Sequence, residues 1–368
     1  MEITTIGIDL AKNVFAVSCA DAHGKVLLRK QLRRAQLAHF LRQQPPCLVG
    51  MEACGGAHHW ARAIIALGHQ VRLLSPALVA PYRKGQKHDR NDADAICEAV
   101  TRPSMRFVAP KSVAQQDLLA LHRIRTRLMK QRIALSNQIR ALLNERGVTM
   151  CTGAAGLHHG VAEALADASN LELSGAMREL LGELREELRG MEVSLRRCDL
   201  RLEQAATSDE RCARLLEVPG VGPKTATALV ATVGEAREYQ RGRELSAHLG
   251  LIPRQHSSGG KTVMLGISKH GDRYLRTLLI HGARSLLYGK RWQTHPKGVW
   301  AARLLAARGP NVAAVALANY NARVLWALLS RGDRYRPERA VFRPGPPAGA
   351  ALKGVRARGE KLLVGKSA

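Results

Sequence analysis

Aromatic residues are scarce in this 368-residue sequence, where Phe, Trp and Tyr together make up 4%. The hydrophobic fraction of 46% still fills ordinary cores, so Leu, Ala, Val and Ile must do most of the packing. The length allows two domains with a helical connector between them. The sequence also lacks an apolar run of the roughly 18 residues that span a bilayer, and no signal-peptide pattern is visible. We therefore expect a soluble, cytoplasmic protein without a membrane partner.

Paired cysteine motifs are also missing. The sequence has seven cysteines, none of them in a C-x-x-C pair, and their spacing suits neither a zinc site nor a disulfide framework. We expect them to be buried thiols in a reducing compartment.

Acidic residues are few: the sequence has 30 Asp and Glu but 57 Lys and Arg, which gives a formal net charge of +27 at pH 7. So much positive charge opposes compact folding by self-repulsion unless a polyanion neutralises it. DNA or RNA is the natural polyanion, so the composition predicts nucleic-acid binding. A ribosome-associated or generally basic protein would have the same composition, and the charge alone indicates no chemistry.

The first hundred residues alternate between strand-like and helical patterns. Three short β-rich segments open the chain, and a polar turn at 21–24 separates the second from the third. A helix, a buried apolar strand, another helix and another strand follow, which indicates a mixed α/β sheet. The predicted strands are 3–9, 13–20, 25–31, 48–51 and 70–74, and the predicted helices are 34–43, 57–67 and 89–100.

The pattern changes at Ser112, which forms a predicted capping box with Gln115 at the start of a long helix. A second long helix is predicted at 174–206, after a looser Gly- and Ala-rich stretch at 147–170. Apolar seams at heptad-like spacing favour an antiparallel helical pair or a coiled coil between protomers, with a helical linker packed on its own domain as the alternative. The seams are Leu121, Ile124, Leu128, Leu135, Ile139 and Leu142 in the first helix, and Met177, Leu180, Leu184, Leu188, Met191 and Leu195 in the second.

A second compact and mostly helical region runs from about residue 215 to 329. The tail that follows holds Pro, Gly, Arg and Lys with few apolar anchors, so we predict that it is disordered until it meets nucleic acid. The predicted domains are an α/β domain at 1–111, a helical connector at 112–208, a mainly α domain at 209–330 and the basic tail at 331–368.

Two acidic residues close predicted strands: Asp9 in GIDLAK and Glu52 in VGMEACGG. Asp89 and Asp92 are three apart on a predicted helix and share a face, whereas Asp94 should point elsewhere. Converging carboxylates repel one another unless a cation lies between them. Mg²⁺ favours a few carboxylates with water and phosphate oxygens, and two such ions suit phosphate chemistry. The alternative is that each acid is a surface or capping residue.

The segment LLEVPGVGPKTA at 215–226 has the pattern of a helix, a tight turn and a new helix start. Such a turn can present backbone N–H groups to an anion, and Gly220 and Gly222 permit close backbone approach. Lys224 adds a positive charge. The segment therefore predicts a grip on DNA phosphates without sequence selectivity, and a purely structural turn is the alternative.

Ser257 and Ser258 precede two glycines in an apparent loop. A serine in a flexible, cationic loop can reach a phosphate, and cations can hold the developing negative charge. From the residues alone, however, SSGG is first a turn, and the nearby His256 and His270 are weak evidence for proton transfer. The cations that surround the serines in sequence are Arg254, Lys261, Lys269, Arg273 and Arg276.

Several strings resemble the DEDD transposases of the insertion-sequence 110 family. GIDLAK, VGMEACGG and KHDRNDADAI resemble the amino-terminal domain of that family, and PGVGPKTA, RQHSSGGK and GDRYLR resemble its carboxy-terminal domain. The last two strings are similar to the 1111 branch. The resemblance covers nearly the full chain apart from the tail. It implies a RuvC-like, ribonuclease-H-type α/β domain, a coiled-coil insert and a mainly α transposase domain with a helix-hairpin-helix element.

The resemblance also implies a mechanism. The four family acids fall on Asp9, Glu52, Asp89 and Asp92, which would bind Mg²⁺, and the nucleophilic serine falls on Ser258, with Ser257 as the fallback. A structured RNA encoded by the element would pair with target and donor DNA. The acids of one protomer would act with the serine of another, so we expect a dimer that pairs into a tetramer at the bacterial nucleoid.

Two rival functions remain open at this point. The first is a metal-dependent DNA junction nuclease without serine chemistry, which would cleave without a covalent protein–DNA species. The second is a non-catalytic nucleic-acid scaffold, in which the acids are surface charge.

Overall fold

The computed structural model describes residues 2–86, 88–289 and 295–337. Within them, a mixed α/β region is followed by a pair of long helices and a mainly helical carboxy-terminal region. The strands are β1 (Thr5–Asp9), β2 (Val14–Ala20), β3 (Val26–Arg33), β4 (Leu48–Glu52), β5 (Gln70–Leu74), β6 (Phe107–Val108), β7 (Pro253–Ser258) and β8 (Lys261–Ile267). The helices are α1 (Leu37–Arg42), α2 (Ala57–Ala66), α3 (Pro76–Val79), α4 (Asp89–Ala99), α5 (Val113–Asn144), α6 (Gly153–Ala166), α7 (Gly175–Ser208), α8 (Glu210–Leu216), α9 (Pro223–Val233), α10 (Gly242–His248), α11 (Arg273–Leu287), α12 (Pro296–Arg308) and α13 (Pro310–Arg331).

Six strands form one sheet in the order β3-β2-β1-β4-β5-β6. The first three strands are antiparallel, as the polar turn predicts: the Asp21 carboxylate accepts the backbone N–H groups of His23 and Lys25. Strand β4 is parallel to both β1 and β5, which requires crossover connections, and α2 is the crossover between β4 and β5. The predicted mixed α/β sheet is therefore confirmed.

The sheet is covered on both faces. Ile6, Ile8, Val49 and Met51 pack in one cluster with α1 and α2. Helix α4 covers β1 and β4 from the other side, where Ile96 is fully buried. Both strands are apolar along most of their length because both faces are covered.

The two long helices pair within one chain. Ser112 caps α5 through the predicted box with Gln115. Arg125 bonds Asp199, and Arg132 bonds Glu192 seven residues earlier on α7, so the helices run antiparallel. Within this chain the two helices form the antiparallel pair, and both also pack on α9 of the carboxy-terminal region.

Two details of the connector differ from the prediction. Helix α6 occupies the 147–170 stretch that we expected to be looser, because Leu157 and Val161 pack into the core between α5 and α7. The seam of α5 is buried only in its second half: Leu135 and Ile139 are buried, whereas Ile124 is 47% exposed.

The carboxy-terminal region is mainly helical, as predicted, and its core is formed by α8 to α11 and α13. Ser257 and Ser258 correct one expectation, since they end strand β7 of a two-stranded hairpin and do not lie in a loop. The turn of the hairpin is Gly259–Gly260, and both glycines have positive φ angles, which suit a two-residue turn. Residues 253–266 are all exposed, so the hairpin projects from the domain.

Helix α13 is long and apolar enough, by length and composition, to cross a membrane, contrary to the expectation that no segment would be. Half of its most apolar window is buried within the protein, where it packs against α10, α11 and α12. Asn321, in the middle of the helix, is buried and donates a hydrogen bond to the Pro219 carbonyl. The helix therefore serves as a core helix here.

All seven cysteines are free thiols. The prediction that they are buried is wrong for Cys151, which is exposed, and for Cys54, which is half-buried. Most of the predicted disordered tail, residues 338–368, lies outside the described residues.

Candidate active site

Asp9 and Glu52 lie side by side at one edge of the sheet. They end the parallel strands β1 and β4, and the register pairs the preceding residues, Ile8 and Met51. Both carboxylate residues are half-buried. The pKa of the nearby Cys54 thiol is raised by burial and by the charges of Glu52 and Asp9. Both carboxylates therefore lie near the Cys54 thiol, which follows the end of β4.

Helix α4 brings two further acids toward this edge. The helix lies so close to β1 that a β-carbon on Gly7 would be 2.5 Å from the Cys97 amide nitrogen, so only glycine fits there. The Cys97 thiol also contacts the carbonyl of Thr5, at the opposite end of β1 from Asp9. The chain direction of α4 therefore points its first turn toward the Asp9 end of the strand. That first turn carries Asp89 and Asp92.

The three acids of α4 have different surroundings. Asp89 is exposed. Asp92 is mostly buried and forms an ion pair with Arg83, with 3.1 Å between Oδ1 and Nη1. Asp94 faces β2 and β3, where it accepts a 2.6 Å hydrogen bond from Ser18 and pairs with Arg29 at 3.0 Å. Arg83 had no sequence signal, because nothing in the spacing marks it as the partner of Asp92.

The donor set of this edge fits a hard cation, since carboxylate oxygens are the ligands that Mg²⁺ prefers. The Asp92 carboxylate already pairs with a cation in this structure, the guanidinium of Arg83. Within the described ranges, however, no three His, Cys, Asp or Glu side chains form a group that could hold a metal ion. The first turn of α4 therefore points toward the two strand-end acids, but the four acids do not form a closed cluster.

The hairpin separates the two candidate serines onto opposite faces, because side chains alternate along a strand. Ser257 shares its face with Gln255 and Thr262, and its hydroxyl bonds both side chains, at 2.7 and 3.3 Å. Ser258 lies on the other face, opposite Lys261 in the register and two residues from His256. Ser258 thus has the cationic surroundings.

Known proteins resemble this chain over most of its length. The IS110-type DEDD family, described as Transposase, matches residues 6–146. The family described as Transposase IS116/IS110/IS902 family matches residues 212–297. The chain is 49% identical to a probable family 20 transposase of Pseudomonas aeruginosa, over 92% of this chain and 100% of that relative.

The chain belongs to the IS110/IS116/IS902 family of transposases. It is also 46% identical to the transposase for insertion sequence element IS1111A of Coxiella burnetii, over 91% of this chain and 92% of the relative. A pilin gene-inverting protein of Moraxella bovis is 27% identical over 79% of this chain and 85% of its own length. The family predicted from the motifs is confirmed, and with it an enzyme that cleaves and rejoins DNA.

The turn before α9 of this transposase is tightly packed. The Gly220 backbone lies against Gly282 of α11, and a β-carbon on Gly220 would be 2.9 Å from the Gly282 carbonyl oxygen. Gly222, in contrast, has open space around it. Lys224 forms an ion pair with Asp199 at 3.0 Å. The glycine at 220 is therefore explained by helix packing, and the Lys224 charge is already engaged within the chain.

The cations near the serines divide into exposed and buried groups. Arg276 is a correction to the predicted nucleic-acid contacts: it is 8% exposed, and its guanidinium donates to the carbonyls of Leu249 and His270. Its role is to hold the start of α11 against the end of α10. The other four predicted cations are exposed and accessible to a phosphate: Arg254, Lys261, Lys269 and Arg273.

Proposed function

We propose that this transposase cuts and rejoins donor and target DNA with a Mg²⁺-binding site of Asp9, Glu52, Asp89 and Asp92 and with Ser258 as nucleophile. The observation that carries the proposal is the shared edge: two acids end neighbouring parallel strands, and the first turn of α4 points toward them. The strand order, with a three-stranded antiparallel start and parallel β4 and β5, supports the proposal that this domain is RuvC-like.

The four acids would hold one or two Mg²⁺ ions, which supply charge neutralisation at the attacking and leaving oxygens of a phosphodiester. The protein itself contributes the position of the acids. Half-burial of Asp9 and Glu52 limits their hydration, and the fixed strand register limits their movement. Asp92 would exchange the guanidinium of Arg83 for the metal.

Ser258 would attack a DNA phosphorus through its Oγ. The bond between phosphorus and the leaving sugar oxygen breaks as the serine–phosphate bond forms, and the sugar oxygen takes up the proton that the serine loses. His256, on the same face of the hairpin, suits the transfer of that proton, and Lys261 suits the phosphate charge. Rejoining is the reverse attack by another sugar hydroxyl.

Exposure of the hairpin supports a composite site. Residues 253–266 are all exposed, and β7 and β8 make their substantial contacts with each other among the described elements. A projecting serine can reach the acids of a second protomer, so we expect a dimer and a tetramer when donor and target meet. We further expect an element-encoded guide RNA to select the target, in the bacterial cytoplasm at the nucleoid.

The decisive experiment compares Glu52→Gln with Glu98→Gln, a control acid on α4 that pairs with Lys84 and Arg102. Glu52→Gln should abolish Mg²⁺-dependent strand cleavage and retain DNA binding, whereas Glu98→Gln should retain both. Full activity of Glu52→Gln would refute the metal site. Denatured reactions should also contain a covalent protein–DNA species; cleavage without it would favour the junction nuclease.

The guide RNA has its own test. Sequencing the RNA that co-purifies with the protein should recover one abundant structured species encoded beside the transposase gene. A heterogeneous mixture of cellular RNA would contradict RNA guidance and leave the DNA chemistry unaffected.

A further inference from the structure

The two long helices differ in charge. Helix α5 carries six Lys and Arg and a single acid, Asp117, whereas α7 carries six Arg and seven acids. The pair buries apolar residues between its helices, which requires no such difference. The surplus positive charge is therefore concentrated on one helix of the connector.

Three of the six cations of α5 are engaged within the protein. Arg125 and Arg132 form ion pairs with α7. Arg140 donates to the carbonyl oxygens of Cys151 and Gly153, near the start of α6. These three cations therefore have structural roles, and they face the rest of the connector.

The other three cations, Arg123, Arg127 and Lys130, form a stripe that we call the α5 cationic stripe. They are exposed, and none of them belongs to a salt bridge of the described part of the chain. Steps of four and three residues place them on one helix face. At about 100° per residue this face lies roughly opposite the one through which Arg125 and Arg132 reach α7.

The remaining exposed residues of this face carry no negative charge. They are amides and small side chains: Ala120, Ala134, Asn137, Gln138 and Ala141. A solvated helix face of a salt-bridged helix normally mixes both signs, as α7 does. An acid-free stripe of cations and amides instead suits a polyanion.

The stripe begins near the start of α2. His58 is the second residue of α2, the helix that follows Glu52, and its Nδ1 accepts the Lys111 backbone N–H just before α5. Burial, together with the positive charges of Lys111, Arg62 and Arg123, lowers the pKa of His58 to about 4. Arg123 is therefore close to the start of α2, so the stripe leads away from the segment that carries Glu52.

We propose that the α5 cationic stripe binds the sugar–phosphate backbone of a DNA duplex that extends from the acidic site. The proposal rests on the proposed function, because it takes the acidic edge as the place of cleavage. Successive cations are about 6 and 4.5 Å apart along the helix axis, so three consecutive turns can contact one strand. The contact reads no bases and fixes the direction in which the duplex leaves.

The test compares two triple variants of the full-length protein. Arg123→Gln, Arg127→Gln and Lys130→Gln remove the stripe. Arg196→Gln, Arg197→Gln and Arg201→Gln remove the same charge from exposed positions of α7 that take part in no described salt bridge. Affinity for a DNA duplex, and for a single-stranded RNA, is measured at several salt concentrations. Thermal unfolding of both variants shows that they are folded.

Loss of three phosphate contacts should make the slope of log affinity against log salt less steep by about 2.7. It should also weaken binding at least about tenfold at 0.1 M salt. The α7 variant should change the slope by less than about 1. Equal effects of both triples would overturn the proposal, because net charge alone would explain them. A loss confined to single-stranded RNA would also overturn it. Retained cleavage by the Glu52→Gln variant would refute the proposed function instead. That result would not alter the salt dependence of binding, so the two failures can be distinguished.

Discussion

Gly7 and Ala93 meet backbone to backbone, so that a β-carbon at position 7 would overlap the carbonyl oxygen of Ala93. This contact joins the strand that ends at Asp9 to the helix that begins at Asp89. Gly50 makes a matching contact on the neighbouring strand, where a β-carbon would be 2.8 Å from the Val100 side chain. The two glycines therefore set the distance between the strand acids and the helix acids.

Gly7→Ala should displace α4 and reduce DNA cleavage, because the clash involves backbone atoms that cannot rotate away. We expect a loss of stability of about 1–3 kcal/mol, the usual cost of overpacking, and a larger relative loss of cleavage. Thermal unfolding and strand cleavage are measured on the same preparations.

Gly190→Ala is the matched control, since Gly190 lies in α7 with open space around its missing side chain. It should stabilise the helix by about 0.5–1 kcal/mol and leave cleavage unchanged. If Gly7→Ala were as stable and active as the control, the packing of α4 on β1 would not position the acids.

Asp94 should behave as a structural acid, unlike its neighbour Asp92. Asp94→Ala removes the acceptor of the buried Ser18 hydroxyl and should cost about 1–3 kcal/mol of stability. Asp92→Ala removes a partly exposed ion pair with Arg83 and should cost less than about 1 kcal/mol. Cleavage should show the reverse order, with Asp92→Ala inactive. A folded but inactive Asp94→Ala variant would move the fourth acid to position 94.

Local sequence patterns were sufficient for the regular parts of the fold. The alternation of the first strands, the Ser112 capping box and the heptad spacing each depend on near neighbours, and each predicted its element. The turn at Gly259–Gly260 was also a correct local prediction. The strand pairing on either side of it was missed, because both strands are short and nearly fully exposed, so no buried face imposes an alternating pattern on them.

Contacts between distant residues could not be predicted from spacing. Arg276 stands in a basic cluster in sequence, yet the carbonyls of Leu249 and His270 engage it inside the domain. Lys224 is bound by Asp199, 25 residues away. Asp89 and Asp92 could be assigned to one helix face, but the contact that aims this face depends on Gly7, 82 residues earlier. Tertiary packing decided each of these outcomes.

The stability of the protein should depend on pH through His122, which joins the connector to the carboxy-terminal region. This buried residue of α5 bonds Tyr274 and Thr227, and burial lowers its pKa to about 4. In the unfolded chain His122 therefore binds a proton below about pH 6.5, whereas in the folded chain it binds one only below about pH 4. Stability should fall through this window as the pH falls, by about 1.4 kcal/mol per pH unit for this group.

The measurement is the free energy of unfolding in denaturant at pH 7 and pH 5. His58 has a similarly lowered pKa and contributes to the same window, so the His122→Gln variant isolates one proton. The His122→Gln variant should be less stable at pH 7. Its free energy of unfolding should also change less between pH 7 and pH 5, by the contribution of about one proton. An unchanged slope would show that His122 takes up a proton in the folded state.

The two adjacent serines give the sharpest test of the strand-transfer chemistry. Ser258→Ala should remove the covalent protein–DNA species and lower cleavage by at least about 10³-fold. Ser257→Ala breaks only exposed hydrogen bonds with Gln255 and Thr262, whose contribution is about 0.5–1.5 kcal/mol, and should retain most activity. Both variants preserve the hairpin register, because neither touches the Gly259–Gly260 turn. The reverse ranking would place the nucleophile on the face that carries Thr262, and with it exclude His256 and Lys261 from the reaction.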